Sequence, residues 1–152
     1  MGLRRKAREY ALQLLFQQDS RQQRDLLSES FQLDRPLPKP IKGFSDCLVQ
    51  GVTEHLAEVD LLIRKYTDHW SLERMAFVDR NILRIAIFEL LYLDDIPAKV
   101  TLNEAIEIAK RYGDESSSAF INGILDRMLC DEERMLAKKV EVQKSLNANQ
   151  GA

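Results

Sequence analysis

Residues 81–93, NILRIAIFELLYL, restrict this chain more than any other stretch. Wound as a helix they are apolar nearly all round, so the helix must be buried on several sides, with other elements wrapped about it. Asp79, just ahead, is placed as its N-cap or first-turn acid, and the helix should run to about Leu93. Buried charge persists where it is paired. Arg84 and Glu89 on this helix, with Asn103 and Glu104 on the next segment, therefore read as a structural network of hydrogen bonds and ion pairs between helices.

Helical period runs through the other long segments, and none joins strand alternation to hairpin turn chemistry, so the chain reads as all-α. Leu3, Ala7, Tyr10, Ala11 and Leu14 give a core stripe for a first helix over roughly 3–18. A long helix is expected from about Ile41 to His69, through Phe44, Leu48, Val52, Leu56, Val59, Ile63 and Tyr66. SLERM (71–75) suggests a short helical turn. Pro97 bars continuation of the central helix, Thr101-x-x-Glu104 has capping-box spacing for the next, and Gly113 is its expected stop. A last helix should run from about residue 118 into the 130s. The polar stretch 20–40, ending in Pro36, Pro38 and Pro40, reads as a connection with one short helix near Asp25–Phe31. With 152 residues, one core is expected: a single domain over 1–136 and a flexible tail over 137–152.

The same reading removes several kinds of function. The formal net charge is −2, so any affinity for nucleic acid must come from a local patch. Cys47 and Cys130 lie in no metal or redox spacing. His55 and His69 share the expected long helix without a Gly-x-Ser-x-Gly elbow or an H-E-x-x-H motif, and no strand leads into a glycine-rich phosphate loop. The acid pairs Asp94-Asp95 and Asp114-Glu115 read as solvated charge in loops. No enzyme, no metal and no cofactor are therefore expected. No apolar run reaches membrane-spanning length, and the basic start leads into Glu9, Gln13, Gln17 and Gln18 rather than a signal-peptide core, which points to the cytoplasm.

Three features point to binding. The stretch LRRKAREYALQLLF (3–16) puts Arg4, Arg5, Lys6 and Arg8 at a helix start, where the macrodipole disfavours cations, so a compensating anion is required. Arg4 and Arg8 lie one turn apart with Arg5 beside them, and guanidinium forks match phosphate; a merely solubilising face is the rival account. Ser116–Ser118 open the last helix with hydroxyls and free N–H groups suited to an anion, and Phe120 follows as a stacking face. The alternative is that a serine is simply the cap and Phe120 a core residue. Leu12 and Phe16 fall away from the Ala7–Leu14 stripe, so either a second layer of this chain or another protein covers them.

Taken together, RRKAREYALQLLF, VDRNILRIAIFELLYLDDIPAKVTLNEAIEIAKRYG and SSSAFINGILD resemble the NusB family of bacterial transcription antitermination and termination factors, in order and spacing over most of residues 3–130. The resemblance implies an all-helical fold of two perpendicular three-helix bundles and a non-catalytic role in transcription regulation. It implies RNA binding, to the boxA element of ribosomal RNA leader transcripts, together with NusE, a small-subunit ribosomal protein, within an RNA polymerase complex that resists termination. Carried onto this sequence, it implies RNA contacts at Arg4, Arg5, Lys6, Arg8, Ser116, Ser117 and Phe120, and a NusE-facing surface at Phe16, Asp79 and Arg80. RNA phosphate would then be the compensating anion. A helical scaffold or homodimer without specific RNA binding is the alternative.

Overall fold

The computed structural model describes residues 2–19, 37–67, 72–135 and 138. The short helix expected near 25–31, and the tail expected over 137–152 apart from Lys138, lie outside the described residues. Six α-helices make up the described fold: α1 (Gly2–Asp19), α2 (Lys39–Glu54), α3 (Leu56–Tyr66), α4 (Phe77–Tyr92), α5 (Ala98–Tyr112) and α6 (Ser117–Asp131). Short 3-10 turns cover Leu72–Arg74, close to the turn expected there, and Glu133–Met135. The all-helical expectation holds.

The segment read as central is central. Every residue of α4 from Asp79 to Leu90 is buried, and the helix packs against α1 and α2 as well as α3, α5 and α6. Asp79 lies in its first turn, behind Ala76 at the N-cap. At Gly51, α2 passes so close to α4 that a Cβ would overlap the Phe88 ring. Gly113 ends α5 as expected, donating its N–H to the Ala109 carbonyl at 2.8 Å, and a Cβ there would overlap Ser117.

Three local expectations are corrected. The long helix expected from 41 to 69 is two helices, because the chain bends at His55, where φ is −109° and ψ is 20°. The imidazole stacks on Tyr92 at 4.2 Å between ring centroids and lies 6.2 Å from Phe88. Helical bonds flank the bend, from His55 N–H to the Gly51 carbonyl and from Val59 N–H to the His55 carbonyl, so the apolar period survives it and hides it. The capping box is not formed. Helix α5 starts earlier, at Ala98 after Pro97, while Thr101 donates its hydroxyl to Glu89 at 3.1 Å and Glu104 holds Arg5.

The third correction is the buried face of α1, which consists of Ala7, Arg8, Ala11, Leu12 and Leu15. Leu3 and Leu14 of the expected stripe are 53% and 38% exposed. Leu12 is in the core, so a second layer of this chain covers it. Hydropathy places the face wrongly because it counts Arg8 as a surface residue, whereas Glu89 makes that charge tolerable inside.

Candidate nucleic-acid and partner interface

The anions that the basic helix start requires are present in the protein. Arg4 stands 3.8 Å from the Asp95 carboxylate, with both side chains well exposed, and its guanidinium lies 4.9 Å from the centre of the Phe44 ring. Arg5 makes a two-pronged contact with Glu104, Nε to Oε2 at 2.7 Å and Nη2 to Oε1 at 3.0 Å. That hydrogen bond, with the charge of Arg5, holds the Glu104 carboxyl below its usual range and raises Arg5 in turn. Lys6 is exposed.

Arg8 departs from the expectation of an exposed edge. It is 3% exposed, and it grips Glu89 with Nε at 2.9 Å and Nη2 at 2.7 Å. Glu89 also accepts the Thr101 hydroxyl. This constellation ties α1, α4 and α5 together and keeps the Arg8 side chain buried. The edge open to a ligand is Arg4, Arg5 and Lys6.

At the start of α6 the serines are engaged by a residue that the sequence reading left in a solvated loop. The Asp114 carboxylate accepts the Ser116 N–H at 2.9 Å, the Ser116 hydroxyl at 2.8 Å and the Ser117 hydroxyl at 3.3 Å. The Asp114 N–H donates to Ser117 Oγ at 3.0 Å. The Ser116 hydroxyl and N–H hold Asp114 below its ordinary range. Ser117 is buried, Ser116 is exposed, and Phe120 is half-buried with one part against the core. Phe120 thus packs in part against the core and keeps part of its ring open.

Phe16 and Arg80 meet around Phe77 at the other end of α1, and Asp79 precedes Arg80 on α4. Phe16 meets Phe77 edge-on at 5.9 Å, and the Arg80 guanidinium lies 4.4 Å from the centre of the same ring. Sequence reasoning missed Phe77; an aromatic opening the central helix was the available signal. Arg80 is buried, donating Nη1 to the Leu72 carbonyl at 3.0 Å and Nε to Asp19. Asp79 is also buried, and its Oδ1 has no hydrogen-bond partner among the described residues. Burial pushes its carboxyl above the usual range, the Ser117 hydroxyl opposes that rise, and the charge of Asp114 adds to it. Arg84 is paired, as expected of a buried charge, but with other partners than the next helix: it bonds Asp60 at 2.8 and 2.9 Å and Asp19 at 3.0 Å, while Glu89 and Glu104 hold Arg8 and Arg5 of α1. Asn103 is exposed and takes no part in it.

Ser117 therefore lies beside Asp79, while Arg4, Arg5 and Lys6 stand at the start of α1. Among the described residues no group of His, Cys, Asp and Glu could hold a metal ion, and no helix is long and apolar enough to cross a membrane.

An all-helical body with an exposed arginine edge at one end of α1 and, toward the other, a Phe16–Phe77 pair braced by Arg80 is the frame of an all-α protein with a basic face. The chain belongs to the NusB family, whose family model matches residues 5–129. It is 50% identical over 139 residues to the transcription antitermination protein NusB of Trichlorobacter lovleyi, covering 88% of this chain and 97% of that one. The NusB of Thermodesulfovibrio yellowstonii is 44% identical over 140 residues, covering 85% and 93%. Among solved structures, T. maritima NusB matches with a TM-score of 0.73 at 44% identity over 84% of this chain and 91% of that one. A complex of the antitermination factors NusB and NusE with double-stranded RNA matches with a TM-score of 0.71 at 28% identity, over 84% and 96%.

Proposed function

We propose that this chain is a non-catalytic transcription antitermination factor that binds boxA-type RNA of ribosomal RNA leader transcripts together with NusE, and so helps RNA polymerase resist termination. The observation that carries this reading is near full-length similarity to proteins named transcription antitermination protein NusB, joined to a fold shared with a NusB–NusE–RNA complex. Arg4, Arg5 and Lys6 supply phosphate donors, and Ser116 and Phe120 supply a hydroxyl and a stacking face. Phe16, Phe77 and Asp79 form the NusE-facing surface, with Arg80 bracing Phe77 from inside. A factor acting on nascent transcripts works in the cytoplasm, and its domain is taken as 1–136.

Fluorescence anisotropy with a boxA-like strand and a scrambled control, single- and double-stranded, with and without NusE and across a salt series, tests the reading. Preference for boxA that NusE strengthens is expected. An Arg4→Ala/Arg5→Ala variant should weaken binding with only a small drop in melting temperature from losing the exposed Arg5–Glu104 contact, whereas Arg8→Ala should lose about 3 kcal/mol of stability by stranding the buried Glu89. Equal, salt-insensitive or absent binding to both strands would favour the scaffold or homodimer alternative.

A further inference from the structure

The two ends of the RNA surface are joined by a feature that neither motif contains. Side chains of α1 and α5 meet at two places, the Arg5–Glu104 contact and Glu9, which meets Arg111 and Tyr112. An open cleft of about 220 Å³ lies between them, lined by Arg5, Glu9, Glu107, Ile108, Lys110 and Arg111. Its charges are layered. The acids Glu9 and Glu104 are 13% and 17% exposed, while Arg5 and Arg111 above them are 45% and 66% exposed.

Glu9 uses both oxygens as anchors: Oε1 accepts Arg111 Nη1 at 3.1 Å and Oε2 accepts the Tyr112 hydroxyl at 3.1 Å. The Arg111 guanidinium also lies 5.5 Å from the centre of the Tyr112 ring. Glu104 anchors Arg5 in the same manner on the facing helix. A guanidinium has five N–H donors, so one held by a single contact keeps most of them for a second anion while its side-chain freedom is already reduced. Arg111 lies two residues before Gly113, where the chain turns toward Ser116.

We propose that Arg111, positioned by Glu9, is a further phosphate contact, and that the α1–α5 cleft carries the RNA backbone from the Arg4–Lys6 end toward Ser116 and Phe120. This rests on the RNA-binding reading above. The acids at the cleft each face a cation of this chain: Glu9 holds Arg111, Glu104 holds Arg5, and the half-exposed Glu107 stands 3.5 Å from Lys110 Nζ, which lines the same cleft.

The test is anisotropy of a boxA-like single strand against the full chain and its Arg111→Gln, Glu9→Gln and Arg5→Ala variants, from 50 to 200 mM salt. Arg111→Gln should bind roughly three- to fivefold more weakly at low salt, with a log–log salt slope shallower by about 0.7, the loss of one phosphate contact to a single strand. Glu9→Gln should also weaken binding, although it removes a negative charge beside a polyanion. A purely structural role for Arg111 would lower the melting temperature and leave the slope alone, and that result overturns the proposal. So does unchanged binding by Arg111→Gln while Arg5→Ala binds weakly, or tighter binding by Glu9→Gln. If neither Arg5→Ala nor Arg111→Gln moves affinity or slope, the RNA reading itself falls and takes this one with it.

Discussion

Asp79 shows how much one side chain can be asked to do. Its carboxylate is buried with Oδ1 unpartnered among the described residues, and its folded pKa is raised by burial, against the pull of Ser117 and with the push of Asp114. A carboxyl raised on folding costs stability while ionised, and the cost disappears as pH falls through the raised value. Asp79→Asn should therefore raise the melting temperature at pH 7 by about 3 °C, from about 1 kcal/mol of relieved desolvation, with the gain shrinking in acid. The same change should weaken NusE binding. Calorimetry at two pH values and a pull-down with NusE measure both; a lower melting temperature would show that the carboxylate is favourably engaged. Arg8 teaches the complementary lesson, since its residue type suggested an exposed phosphate donor and its environment made it an internal strut.

At the scale of elements, the contact of α2 with α4 depends on the missing side chain of Gly51. The Phe88 ring fills that space and is backed by His55 and Tyr92, so it has little room to move. Gly51→Ala should cost about 1–3 kcal/mol, read as a lower urea midpoint, and adding Phe88→Leu should recover part of the loss. An unchanged midpoint would mean that the ring yields freely. The existence of five helical segments was legible, because the 3.6-residue period over α1, α4, α5, α6 and the α2–α3 region is long and consistent. The break at His55 was not. It contains neither proline nor an interrupted period, and it is held by aromatic stacking with a helix remote in sequence.

Across the whole molecule, acids that join helices set the response to pH. Burial pushes the Asp19 carboxyl up, but the Arg80 hydrogen bond, the Arg84 charge and the Asn81 contact prevail and hold it low. Glu104 is held low first by the hydrogen bond from Arg5, and Glu58 by those from Tyr92 and then Arg134. A carboxyl lowered on folding contributes stability that is fully present above its unfolded pKa and is lost as pH falls through the folded one. The urea midpoint should thus change little between pH 7 and 5 and drop steeply below about pH 4.5, where unfolded carboxylates begin to protonate. The exposed Arg5–Glu104 and Arg134–Glu58 contacts should add the salt-sensitive part of that drop. A midpoint that stays level down to pH 3 would remove these pairs from the stability of the fold.

Periodicity and apolar content determined locally what can be read locally: an all-α chain, the central position of residues 81–93, the stop at Gly113 and the cationic start of α1. The family motifs are contiguous, so they too were visible in the sequence. Partner choice between charges was not, because Glu89 and Glu104 lie more than eighty residues from the arginines they hold, and only packing brings them together. Tertiary structure alone decided that Arg8 is interior and that Leu12 is core. It also decided that Glu9 sets Arg111 over a cleft, whereas the contact of Asp114 with Ser116, two residues on, is local. For Arg8 and Arg111 the outcome depends on how a charge is paired with a neighbour some eighty to one hundred residues away, which sequence spacing does not reveal.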